Sequence, residues 1–285
     1  MKIARRIIMI TTAIILGIFG FLWVRHYIEE KAEDTIEEDS TNNSSDDNNN
    51  TNTVNPPQTN LIQLDETPAY QGAKFFVKQP VIEDQQAYVA IPLEYDSNTP
   101  PTIIVYSHGS DTTITRNLTS DFMQQMQDYG EFFTTNNYIF AASAMHDANW
   151  GSDESVADML NLIEWIKTNY TAAQKIDLIG FSMGGWPTFM FAFAHPEMVS
   201  HIASLAGTTK PSTWTAAQIQ KLIPIQVSFW HGNADVNVKY STTEKMVDLC
   251  IENGVYATLN TIEGGTHYDV DWEYHEEILT FFNEV

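Results

Sequence analysis

From residue 74 onward the chain alternates between short apolar runs and longer stretches where apolar residues recur every three to four positions. The short runs are bounded by Gly, Pro, Asn or Asp and predict strands at 74–78, 87–91, 102–106, 138–143, 175–179, 201–205, 225–230 and 256–262. The longer stretches predict helices at 119–135, 153–170, 183–194, 242–253 and 272–282. In the second of these, Val156, Met159, Leu160, Ile163 and Ile166 share one face, and Asp153 and Glu154 complement the positive end of the helix dipole. The first two strands read as antiparallel. Strict alternation of strand and helix then predicts an α/β domain with a mostly parallel sheet covered on both faces.

Before residue 61 the pattern changes twice. Lys2, Arg5 and Arg6 precede an uncharged, mostly apolar run at 7–24, close to the roughly 20 residues that cross a bilayer as a helix. Arg25 alone follows, so the positive charge lies on the N-terminal side, and the expected topology is a single-pass anchor with the N-terminus cytoplasmic. No small-x-small site follows Val24, which favours an uncleaved anchor over a signal peptide; cleavage would make the protein secreted. Residues 1–28 are assigned to the anchor and 29–60 to an acidic, Asn/Ser/Thr-rich linker expected to be disordered. The globular domain is placed at 61–285.

The formal net charge of −23 changes the list of partners. The domain has one arginine, Arg116, so nucleic acid and anionic lipid surfaces are excluded as ligands of a basic patch. Cys250 is the only cysteine, so no intramolecular disulfide is possible, and its helical spacing with Met246 and Leu249 places it in the core.

The candidate chemistry centres on Gly180-Phe181-Ser182-Met183-Gly184-Gly185, a Gly-x-Ser-x-Gly between a predicted strand and a predicted helix. Such a turn is too tight for side chains at its flanks and exposes the serine above a helix N-terminus, whose free N–H groups face developing negative charge. A nucleophilic serine needs a base and a carboxylate to orient that base. Asp235 and His267 follow in that order, each in a loop after a predicted strand. Residues 206–224 hold no Asp or Glu, which removes the rival acid position there. Asp269 and Asp271 come after His267 and are assigned to the cap or first turn of the closing helix.

Taken with Ser107-His108-Gly109-Ser110, His231-Gly-Asn-Ala-Asp235 and Gly264-Gly-Thr-His267, these pieces resemble the α/β-hydrolase superfamily. The likeness is greatest to its small uncapped branch of dienelactone-hydrolase-like esterases and prolyl-oligopeptidase-type catalytic domains. The resemblance implies a serine hydrolase with Ser182 as nucleophile, His267 as general base and Asp235 as its orienting acid. Met183 N–H, next to the nucleophile, is the natural first oxyanion donor. The resemblance supplies the second, Ser110 N–H, with His108 bracing the loop. The short 206–224 segment implies a site without a large cap domain. Trp150, Trp214 and Tyr268 are candidates for the substrate pocket, with Trp186 either core or pocket. No metal site or cofactor is expected. The expected substrate is a carboxylic ester, on a small molecule or an acylated carbohydrate. The alternatives are a serine peptidase, disfavoured here for want of a propeller domain, and a non-catalytic binding module, disfavoured because no triad member is missing.

Overall fold

The computed structural model describes residues 60–284. The expected anchor and nearly all of the expected linker lie outside the described residues. Among the described residues no helix is long and apolar enough to cross a membrane.

In chain order the strands and α-helices are β1 (Leu61–Gln63), β2 (Phe75–Lys78), β3 (Val81–Ile82), β4 (Gln85–Pro92), β5 (Glu94–Asp96), β6 (Thr102–Ser107), α1 (Asp121–Thr135), β7 (Tyr138–Ser143), α2 (Asp153–Asn169), β8 (Ile176–Phe181), α3 (Gly185–Ala194), β9 (Val199–Leu205), α4 (Ala216–Ile219), β10 (Gln226–Gly232), α5 (Tyr240–Glu252), β11 (Ala257–Ile262) and α6 (His275–Phe282). The main sheet runs β11-β10-β9-β8-β6-β7-β4-β2, with β3 folded back on β4. Neighbours from β11 through β7 are parallel, whereas β7–β4 and β4–β2 are antiparallel. This is the mostly parallel sheet expected from the alternation, in the α/β-hydrolase arrangement that the resemblance implies. Separate from it, β1 pairs antiparallel with β5, a small ribbon that the apolar pattern does not predict.

Side chains alternate across the sheet as the pleat demands. Along β6, Ile103 and Val105 enter one core with α2, α3 and α5, while Ile104 and Tyr106 enter the other with α1 and α6. Cys250 is buried in the first core, as expected. The 206–224 segment also feeds that core through Trp214, Ile219 and Leu222, so it folds down onto the body of the domain. The order reverses around β6: the chain goes from β6 to β7 on one side, then crosses to β8 on the other. Ligands of open α/β sheets bind at the carboxyl ends of strands beside such a reversal.

Candidate active site

Ser182 leaves the end of β8 in a short 3-10 turn, Ser182–Gly184, that leads into α3. Its φ of +52° lies in the left-handed region, a strained conformation for a residue with a side chain. A Cβ on Gly184 would stand 1.9 Å from the Ser107 carbonyl oxygen, so this glycine is what lets the turn sit on the end of β6. Asp235 and His267 occupy the loops after β10 and β11, strands that are neighbours in the sheet. The end of β10 touches the loop after β11 at Gly232, where a Cβ would meet the Gly265 carbonyl oxygen at 2.2 Å.

The fold brings these three side chains into one hydrogen-bonded line. His267 Nε2 is 2.8 Å from Ser182 Oγ, and His267 Nδ1 is 2.7 Å from Asp235 Oδ2. An ionised carboxylate only accepts, so Nδ1 carries the proton and the Nε2 lone pair faces the serine hydroxyl. Asp235 Oδ1 accepts from the N–H groups of Asn237 at 2.7 Å and Val238 at 2.9 Å. Burial acts to raise the Asp235 carboxyl, but the bonds from His267, Val238 and Asn237 outweigh it, and the net direction is down. Asp235 is thereby held as the anion, the form that orients an imidazole.

His108 is fully buried, and its ring nitrogens lie 2.8 Å from the Gly109 carbonyl oxygen and 3.0 Å from that of Ala144. It braces the loop, as expected. In a trans peptide C=O and N–H point opposite ways. Holding the Gly109 carbonyl against His108 therefore directs the Ser110 N–H away from that ring. Ser110 lines a cleft of about 510 Å³ that contains Ser182 and His267. Met183 is buried immediately behind the nucleophile.

Trp150 and Tyr268 also line that cleft, and both are well exposed. The loop that presents Trp150 runs through left-handed backbone at Met145, His146, Asp147, Trp150 and Gly151. It is tied to α2 by His146 Nδ1 to Asp158 Oδ2 at 2.7 Å. Trp214 is not in the cleft, contrary to expectation. Only 8 % exposed, it wedges between Phe189 and Phe193, with ring centroids 5.3 and 5.1 Å away. Apolar surface is the reason: an indole meeting two phenyl rings of α3 leaves water. Trp186 is half-buried against the core, and the Lys210 ammonium sits 3.6 Å from its ring centre.

The two later carboxylates do not serve as side-chain helix caps. Asp269 Oδ2 accepts from both Thr266 N–H and Thr266 Oγ1 at 2.7 Å, closing the turn that carries His267. Asp271 holds the cap position before the 3-10 turn Trp272–Tyr274 without a side-chain capping bond. It is buried instead, accepting from Tyr106 OH at 2.9 Å, Tyr129 OH at 2.8 Å and Gln125 Nε2 at 2.7 Å. Sequence reasoning also missed Thr208, Thr209, Asn237 and Lys239 on the cleft wall. The Thr209 hydroxyl is buried and makes no hydrogen bond within the protein. Loops whose residues are merely polar give no periodic signal that would have found them. Among the described residues no His, Cys, Asp or Glu cluster is arranged to hold a metal.

The sequence matches the model of the Esterase family, described as "Putative esterase", over residues 81–254, more than half of the chain. The chain belongs to the Esterase family. This match spans Ser182 and Asp235 and ends before His267. No curated protein sequence matches the chain. Among solved structures, an esterase of Pyrococcus furiosus is 15% identical with a TM-score of 0.56, over 80% of this chain and 96% of that one. A thermostable esterase is 14% identical (TM-score 0.54; 74% of this chain, 60% of that one), and an acylaminoacyl peptidase of Pyrococcus horikoshii is 12% identical (TM-score 0.59; 75% and 42%). The chain thus spans less than two thirds of the latter two. At these identities the likenesses establish the α/β-hydrolase fold of this Esterase-family chain. Both esterases and peptidases carry that fold.

Proposed function

We propose that the protein is a serine carboxylesterase working through Ser182, His267 and Asp235. The observation that carries this reading is the hydrogen-bonded line from Ser182 through His267 to Asp235, whose proton positions suit general-base catalysis. Ser182 Oγ attacks the ester carbonyl carbon while His267 Nε2 takes its proton. The N–H groups of Met183 and Ser110 receive the oxyanion. The tetrahedral intermediate collapses as the imidazolium returns the proton to the leaving alcohol, leaving an acyl-enzyme. Water, deprotonated by the same nitrogen, releases the acid. Trp150 and Tyr268 offer stacking faces for an ester on a small molecule or a carbohydrate.

A peptidase reading draws on the likeness to the acylaminoacyl peptidase. The family match favours the ester, and an ester's better leaving group asks less of proton delivery and positioning. A fluorophosphonate probe should label the full chain at Ser182, and short-chain p-nitrophenyl esters should turn over while peptide amides do not. Ser182→Ala should abolish labelling. Asp235→Asn should cut the ester rate about a thousandfold or more by imposing the wrong His267 tautomer. Labelling of Ser182→Ala as strong as wild type would remove the nucleophile, and efficient amide cleavage without ester turnover would transfer the assignment to the peptidases.

The proposal extends to location. Lys2, Arg5 and Arg6 before the 7–24 segment support a cytoplasmic N-terminus with the catalytic domain outside. External protease on intact cells should then release that domain by cutting within 29–60. Protection until lysis would refute it.

A further inference from the structure

His231 is the penultimate residue of β10 and is fully buried, yet it takes no direct part in the proposed reaction. Its Nδ1 lies 2.7 Å from Thr243 Oγ1, and its Nε2 lies 3.1 Å from Asp235 Oδ2 and 3.0 Å from the Val238 carbonyl oxygen. Both neighbours of Nε2 are acceptors, so that nitrogen bears the hydrogen. Nδ1 then accepts from the Thr243 hydroxyl, on α5, which fixes the tautomer. Asp235 Oδ2 therefore receives two imidazole N–H groups, one from His267 and one from His231.

The consequence lies in the torsion of the Asp235 carboxylate. Two backbone amides of its own loop hold Oδ1. With His267 alone on Oδ2, acid and base would swing together, because His267 also rides on a loop. His231 sits at the end of a strand flanked on both sides, so its bond refers the carboxylate to the sheet. We infer that His231, locked by Thr243, is a positioning residue that acts through Asp235 to aim His267 at Ser182. Burial lowers the His231 pKa, more strongly than its partners raise it, so it remains a neutral donor. A cation in its place would compete with the His267 imidazolium for the same carboxylate. The charged or titratable groups about it are Asp235, His267 and Tyr240, whose ring centre stands 5.7 Å from that of His231.

The inference rests on the esterase reading, and two measurements on the full chain separate them. One is the far-downfield proton resonance of the His267 Nδ1–H bonded to Asp235, visible without any substrate. The other is the steady-state rate on a p-nitrophenyl ester. His231→Leu deletes the donor, Thr243→Val frees the tautomer, and His231→Gln can return an N–H close to the place of Nε2. His231→Leu should lose or broaden the resonance and lower kcat about tenfold to a hundredfold with KM within about twofold. His231→Gln should keep the resonance and most of kcat, and Thr243→Val should fall between. Should His231→Leu fail to fold, the ordering of Gln above Thr243→Val still decides. Wild-type resonance and kcat in His231→Leu, or equal loss in the Leu and Gln variants, would overturn the inference. A wild-type chain that shows the resonance but hydrolyses no ester would instead count against the esterase reading alone.

Discussion

Trp150 and Trp214 carry the same side chain in opposite settings, one standing in the cleft and the other inside the core. Trp214→Ala should cost about 3–5 kcal/mol of stability through lost burial and the cavity left behind. Its ester KM should be unchanged. Trp150→Ala should do the reverse, raising KM severalfold while the urea midpoint stays at the wild-type value. Urea titration and ester kinetics on both variants check the pair. The sequence does not separate these residues because each follows a loop rich in small polar residues, and an indole there is equally ready to point in or out. Ser182, Asp235 and His267 were legible because glycines mark their turns. Those at 184 and 232 stand where backbones touch and a Cβ would collide. His231 lay in plain sight within its motif. Its neighbour Thr243 is distant in sequence, and only the fold reveals their bond.

At the scale of elements, the strands of the main sheet other than the two-residue β3, and the five long helices, were read nearly to their ends, since most have a buried face long enough to impose a period. The β1–β5 ribbon escaped because three residues with Leu61 exposed carry no such period. Asp271 shows a further limit. It fastens the loop after His267 to β6 through Tyr106 and to α1 through Tyr129 and Gln125, a junction of three separate elements. Burial raises its carboxyl above the usual range and outweighs the three donors that favour the anion. The folded state therefore binds this proton more readily than the unfolded chain. Stability from this group is greatest below the ordinary carboxylate pKa of about 4 and declines as pH rises through the higher folded value. Asp271→Asn, which cannot ionise, should flatten that decline, so its urea midpoint should gain on wild type as pH rises from about 4 toward neutrality. A difference between the two that stays constant with pH would show that this proton is not bound more tightly in the folded state.

For the molecule as a whole, the charge of −23 was legible at once, and its functional weight lies in encounter. A surface so acidic attracts cations and repels anions over about a Debye length. For two p-nitrophenyl-type esters differing only in a charged tail, kcat/KM of the cationic one should fall as salt is raised. That of the anionic one should rise. Stopped-flow rates at about 10 and 200 mM salt would show it, and identical slopes would place the field away from the cleft.

The buried Cys250 has a use of its own. Burial pushes its thiol up to about 12, so in the native fold it is both hidden and protonated. A thiol reagent meets no other sulfhydryl anywhere in the chain. Each modification event therefore records one opening of the core around α5, and its rate is a clock for unfolding that needs no engineered label.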